Sequence, residues 1–370
     1  MKRIGIITLI DYKNYGNRLQ NYALQEVLKD LGAIPETIEI LHNIKKKSVF
    51  SRLIRNLVTP NFIKNILRYY RNKKYSKYIL QRIEGFRGFT SQYIIRSNFY
   101  ISESFYPQDQ LESYNYFITG SDQVWNPYFN FCSPIYFLEF APPHKRIAYA
   151  PSFGIDSIPD IFVEKYTLWL SQINHISVRE LAGAKIIRQL TGREAQVVLD
   201  PTMLLTKERW LSIAKKDEKK PKSEYLLAYF LGRVSKKNNK HIIQIAERYN
   251  LEIVRLADVN DIDRFTITPE EFLDYISSAK VICTDSFHGA VFAILFHIPF
   301  IVFDRDDSSP SMKSRLESLL KTFNLESRYF SEGLLNEQLF DIEFSKTDLI
   351  LSREREKSLN FLRDSININN

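Results

Sequence analysis

The sequence predicts an α/β protein of two doubly wound, parallel-sheet domains facing a cleft, with a basic helical insertion in the first. Two observations carry that expectation. Short apolar runs alternate with amphipathic helical stretches, and the alternation restarts after a Lys-rich interval at 215–222. The chain, at 370 residues, also exceeds what one hydrophobic core usually serves.

Residues 3–10 (RIGIITLI) form an apolar run of the kind a strand buried on both faces requires. The run empties into a polar, Asn-rich turn, DYKNYGN. A helix follows in which Leu19, Tyr22, Ala23, Val27 and Leu31 share one face, and Gly32 closes it. Residues 45–100 read as the basic helical insertion. Further strands are expected at 114–119, 146–150, 175–178 and 196–199. They end respectively at Gly120-Ser121-Asp122-Gln123, Pro151-Ser152, Arg179-Glu180 and Asp200-Pro201-Thr202. The second unit carries strands at 225–230, 252–256, 281–284 and 300–303, with helices around 241–249, 269–278 and from His288. The expected domains are 1–210 and 223–330, with a helical segment at 331–370 packing back on the first.

Composition narrows the class. Hydrophobic residues make up 44% and charged residues 25%, with 26 Phe and 21 Tyr available for cores. Cys132 and Cys283 are the only cysteines and lie far apart, which excludes a disulfide framework and favours a reducing compartment. The start of the chain reads as a strand rather than a signal peptide, and no apolar run approaches the roughly 20 residues of a spanning helix. A cytoplasmic protein is expected. The net charge of +8 is uneven: Lys45 to Arg96 holds fourteen Lys or Arg against Glu84, giving +13 and leaving −5 elsewhere. Such a segment, at 45–96, suits a solvated helix face or an anionic membrane surface at the inner face of the membrane. No nucleic-acid module accompanies it, so no nucleic-acid partner is expected.

Ligands of open parallel sheets collect beyond the carboxyl ends of the strands. Four such ends carry candidate chemistry. In CTDSFHGA, at 283–290, a strand leads into a helix N-terminus whose free N–H groups suit an anion. Gly289 and Ala290 would permit its approach, and His288 could bind it or transfer a proton, whereas Asp285 and Ser286 could simply cap the helix. The bland reading is a capped helix with a buried His. Arg179 in ISVRE offers a bidentate fork for carboxylate or phosphate. Ser121 and Asp122 in TGSDQVWN offer a hydroxyl and a carboxylate, and Asn14, Asn17 and Gln20 line the first loop with groups suited to sugar hydroxyls. GxGxxG, GxxxxGK[ST] and HExxH motifs and Cys/His clusters do not occur, so no dinucleotide or metal site is expected.

Six segments in order then resemble one family: NYGNRLQNYALQ at 14–25, FITGSDQVWN at 117–126, RIAYAPSFG at 146–154, ISVRE at 176–180, VVLDPTMLL at 197–205 and TDSFHGAVFAILFHIPFIVF at 284–303. Together they look like the polysaccharide pyruvyltransferase family. The resemblance implies two Rossmann-like domains in a GT-B-like arrangement. It also implies transfer of the pyruvyl group of phosphoenolpyruvate onto two hydroxyls of a hexose, in a surface or capsular polysaccharide precursor or lipid-linked oligosaccharide. Phosphoenolpyruvate is then a substrate, and no cofactor is implied. Arg179 and His288 match donor-contacting positions. Some relatives carry Arg-Leu-His where this chain has Ser286-Phe287-His288, so either another cation, Arg315 or Lys313, replaces that arginine or the donor site differs. The expected roles are proton transfer for His288 and base or hydroxyl acceptor for Asp122. Arg179, Ser286, Gly289, Ala290 and Arg315 would hold the donor, and Asn14, Asn17, Gln20 and Ser121 the acceptor. A nucleotide-sugar glycosyltransferase and an inactive assembly scaffold are the competing readings.

Overall fold

The computed structural model describes residues 1–41, 62–129, 133–305, 313–331 and 338–367, with the backbone only for 62–74 and 313. The first domain holds strands β1 (Arg3–Ile7), β2 (Ile34–Ile40), β3 (Arg96–Ile101), β4 (Tyr116–Thr119), β5 (Arg146–Ala148), β6 (His175–Val178) and β7 (Gln196–Val197). They pair in parallel in the order β3-β2-β1-β4-β5-β6-β7. The second domain holds β8 (Tyr225–Tyr229), β9 (Glu252–Leu256), β10 (Val281–Thr284) and β11 (Phe300–Val302), parallel in the order β11-β10-β8-β9. Strand order reverses between β1 and β4 in one sheet and between β8 and β10 in the other. Each reversal splays the following loops apart and opens a crevice. The two crevices face each other, which is the GT-B-like architecture.

Helix α1 (Tyr15–Asp30) starts where Asn14 accepts a hydrogen bond from the Asn17 amide, a side-chain N-cap. Helix α2 (Phe62–Tyr93) follows. Of the insertion expected at 45–100, residues 96–101 are not helix but the edge strand β3, because Thr37, Glu39 and Ile40 of β2 provide a paired neighbour. Lys45, Lys46, Lys47, Arg52 and Arg55 lie outside the described residues. Nor does the rest of this basic segment all face water. Arg82 is 2% exposed and donates to the Tyr15 hydroxyl at 2.6 Å and to the carbonyls of Phe265 at 2.6 Å and Lys13 at 2.9 Å. Its five N–H donors satisfy groups from both domains at once.

The helices α3 (Gln108–Glu112), α4 (Asp160–Ser171), α5 (Leu181–Thr191) and α6 (Lys207–Ile213) complete the first domain. Helices α7 (Lys236–Arg248), α8 (Ile262–Phe265), α9 (Pro269–Ser278), α10 (Phe287–Phe296) and α11 (Lys313–Thr322) surround the second sheet. Every residue of α10 is buried. That explains its apolar sequence on all faces: it lies between β10 and first-domain residues, with Phe292 edge-on to Trp210 at 5.2 Å and to Phe272 of α9 at 5.9 Å. A single apolar cluster thus runs from Ile4 and Leu19 through Trp210 to Phe272 and Phe292. Helix α12 (Phe344–Ser365) crosses back to the first domain. Its Ser358 hydroxyl accepts from the Leu199 amide at 3.0 Å, and Arg355 donates to the Leu205 carbonyl at 2.8 Å. Among the described residues no helix is long and apolar enough to cross a membrane.

Candidate functional site

Between the facing crevices lies a cavity of about 540 Å³. The loop after β1 contributes Asp11, Lys13 and Asn14, the first turn of α1 contributes Asn17, the loop after β4 contributes Asp122 and Gln123, and the second domain contributes Ser286, His288, Arg305 and Arg315. Residues separated by some 300 positions meet because both sheets present carboxyl ends to the same space.

Beneath this cavity sits a charged knot. Arg179, at the end of β6, pairs with Asp200 at 2.6 Å and approaches Asp122 at 3.5 Å. Its guanidinium also covers the Phe287 ring, 4.2 Å from the centroid. Ser121 donates to the same Asp200 oxygen at 2.8 Å, and Thr202 to the other at 2.7 Å. His288 brings its Nε2 to 3.6 Å from Asp200, beyond a normal hydrogen bond. Nε2 of His288 and Nη2 of Arg179 are both buried without a hydrogen-bond partner among the described residues. Burial pushes the Asp200 carboxyl upward, but His288, Arg179 and Thr202 outweigh it and hold the group far below the usual carboxylate range. Asp122 is lowered likewise, burial being overcome by Arg179, His288, Arg315 and the Asn17 amide.

Glycine places the imidazole. A Cβ on Gly16 would fall 2.0 Å from His288 Nδ1 and 2.1 Å from its Cγ, so only glycine lets α1 approach this closely. Asp122 has a left-handed backbone, φ 71°, a sparsely populated conformation for a non-glycine residue. Asn17 fixes it there, donating to Asp122 at 3.1 Å while accepting from the Asp11 amide at 2.8 Å.

The expected site residues separate into layers. Asn14, Asn17, Asp122, Ser286, His288 and Arg315 line the cavity. Arg179 lies behind Asp122, with its side chain 1% exposed. Ser121 and Gln20 are fully buried: Gln20 accepts from the Ser121 amide at 3.1 Å and donates to Thr8 at 3.0 Å, so both shape the strand ends. Gly289 and Ala290 point into the core rather than the cavity. The Gly289 amide is held by the capping Ser286 hydroxyl at 3.3 Å, the Ala290 amide by the Ser286 carbonyl at 3.1 Å, and Gly289 abuts Thr284. Ser286 is thus the N-cap of α10, worth about 1 kcal/mol in such a position.

Arg315 lies 4.0 Å from Asp122 and 3.0 Å from the Gln123 side-chain amide. Burial and the neighbouring Arg179 draw its pKa down to about 10. The side chain of Lys313 lies outside the described residues. Sequence reasoning missed Arg305, whose Nε donates to Asp285 at 3.0 Å, and the pairing roles of Asp285 and Asp200. Asp285 also accepts from the Leu231 and Gly232 amides at 2.7 and 2.9 Å, tying the β8 loop to the site. The available signal was position: Asp200 and Arg305 each follow a strand. The described residues contain no group of three potential metal ligands.

The family model for polysaccharide pyruvyl transferase matches residues 14–307, which include Asn14, Asn17, Asp122, Arg179, Asp200 and His288, while Asp11, Lys13 and Arg315 lie outside the match. The chain belongs to that family. No curated protein matches its sequence. Among solved structures it is similar to the UDP-GlcNAc 2-epimerase of Neisseria meningitidis, with 10% identity, 98% of this chain and 100% of that one covered, and a TM-score of 0.48. It is similar also to MnaA of S. aureus in complex with UDP, with 12% identity, coverage of 100% and 98%, and a TM-score of 0.48. Family membership makes the chain a transferase of the polysaccharide-modifying kind.

Proposed function

We propose that this transferase moves the pyruvyl group of phosphoenolpyruvate onto two hydroxyls of a hexose in a surface-polysaccharide precursor, forming a ketal and releasing phosphate. One observation carries the reading: an imidazole from the second domain meets the Asp200–Arg179 pair of the first at a cavity rimmed by Arg305 and Arg315. A donor with both a carboxylate and a phosphate needs paired cations, and these guanidinia supply them by charge-assisted hydrogen bonds. Arg315 and Arg305 would hold the anion, taking the place of the arginine that some relatives carry at position 286.

His288 is the proton donor in this scheme. A proton from its imidazole, beside Asp200, goes to the methylene carbon of the enol ester, and the double-bond pair forms the new C–H bond. The neighbouring carbon becomes electrophilic and a sugar hydroxyl attacks it. The C–O bond to phosphate breaks, phosphate leaves with the electron pair, and the second hydroxyl closes the ketal. Nothing is oxidised or reduced.

A thermal-shift comparison of phosphoenolpyruvate with UDP- and GDP-sugars tests the donor, since a ligand that binds only the folded state raises Tm. A rise with phosphoenolpyruvate, absent with the nucleotide sugars, is expected. The reverse pattern would assign the cavity to a glycosyltransferase donor and end the proposal.

A further inference from the structure

The scheme above leaves one proton unaccounted for, that of the attacking hydroxyl. Asp122 is badly placed to take it. Its carboxylate is committed to Asn17 at 3.1 Å, Arg179 at 3.5 Å and Arg315 at 4.0 Å. A carboxylate so compensated is a weak base and serves better as a fixed charge.

Asp11 differs in each respect. It stands on the loop after β1 and lines the same cavity as His288, next to Asn14 and Asn17. Its backbone is pinned by the Asn17 side chain, and its Oδ1 accepts from the Lys13 amide at 2.9 Å. Among the described residues its Oδ2 has no hydrogen-bond partner, and the residue is exposed to the cavity. The loop holds one carboxylate oxygen and leaves the other unengaged among the described residues. Crowding by the surrounding loops, then the charge of Asp122, raises the Asp11 carboxyl above its ordinary range, against the Lys13 amide and the charges of Arg18 and Lys13. From the second domain, His288, Arg305 and Arg315 face it across the cavity.

Building on the pyruvyl-transfer reading, we infer that Asp11 is the catalytic base that takes the proton of the attacking sugar hydroxyl, and that Asp122 is a positioning charge. As the hydroxyl oxygen bonds to the electrophilic carbon, Asp11 Oδ2 receives its proton, which passes to the departing phosphate. Asp11 then takes the proton of the second hydroxyl too, and this one returns to His288, replacing the one delivered to the methylene carbon. The balance closes with one proton on carbon and one on phosphate.

The test measures phosphate release from phosphoenolpyruvate with a panel of p-nitrophenyl hexosides, alongside the Tm shift that phosphoenolpyruvate induces. Asp11→Asn preserves the grip on the Lys13 amide but removes the base. Its turnover should fall about 10²- to 10⁴-fold with the Tm shift retained. The acidic limb of the wild-type pH–rate profile should vanish in Asp11→Asn, persist in Asp122→Asn and return in Asp11→Glu. Asp11→Asn turnover within about threefold of wild type, or loss of that limb in Asp122→Asn instead, overturns the assignment. A wild-type protein that phosphoenolpyruvate neither stabilises nor engages in turnover fails at the earlier step, the donor reading, and takes this inference with it.

Discussion

The two domains contribute opposite chemistry to one space. The first supplies Asp11, Asn14, Asn17 and Asp122 to the cavity and Asp200 beneath it, while the second supplies His288, Arg305 and Arg315. The second domain's own carboxylate, Asp285, is consumed internally by Arg305 and two amides. The first domain is not purely anionic: Lys13 lines the cavity as well, and Arg179 beneath it is spent on neutralising first-domain carboxylates. In the proposed reaction the two tasks, holding the anionic donor and accepting a hydroxyl proton, fall to different halves. The site exists only where the halves dock, which gives a physical purpose to the apolar cluster and the buried Arg82 that join them.

The sharpest way to break this division is to remove the proton donor proposed for the second domain. His288→Ala should lower turnover about 10²- to 10⁴-fold while leaving the far-ultraviolet circular dichroism unchanged. Turnover within tenfold of wild type would show that protonation comes from elsewhere.

A milder disruption acts from the first domain. Gly16→Ala inserts a methyl group where the His288 ring lies, so the ring or α1 must shift. A loss of about 10- to 100-fold in kcat/KM is expected. Gly88→Ala is the matched control: nothing lies within 4 Å of a Cβ there, and alanine favours the helix by up to about 1 kcal/mol. Equal activities in the two variants would dismiss Gly16 as a positioning element.

Much of this division was legible in the sequence, for identifiable reasons. Parallel strands buried on both faces announce themselves as apolar runs, and their ends are where polar residues cluster, so Arg179, Asp122 and His288 could be singled out before any coordinates. Depth could not be read the same way. Gln20 and Ser121 look like ligand-facing polar residues, yet they hydrogen-bond to each other in the core because β1 and β4 are adjacent. Strand β3 was taken for insertion since an edge strand with one solvent face carries a weak apolar signal. Arg82 was hidden in a run of cations. Which one of them turns inward depends on partners near residues 13–15 and 265, and no local pattern records those.

The smallest effect expected is also the most diagnostic of the comparison, because stability and binding should move in opposite directions. Arg315 is a second-domain cation with its charge buried beside Arg179, and its pKa of about 10 marks an uncomfortable position in the free protein. Asp122 lies 4.0 Å from it and the Gln123 side-chain amide 3.0 Å. An anionic donor would relieve that strain. Arg315→Met keeps the apolar stem and removes the charge, so the ligand-free protein should gain about 1 kcal/mol, seen as a rise of roughly 1–3 °C in Tm. The additional stabilisation by phosphoenolpyruvate should collapse at the same time. If Arg315 were a structural cation serving Asp122 and Gln123, its loss would lower the ligand-free Tm and leave the phosphoenolpyruvate increment intact. Measuring both numbers on one variant therefore separates a residue kept for folding from one kept, at some cost to folding, for an anion.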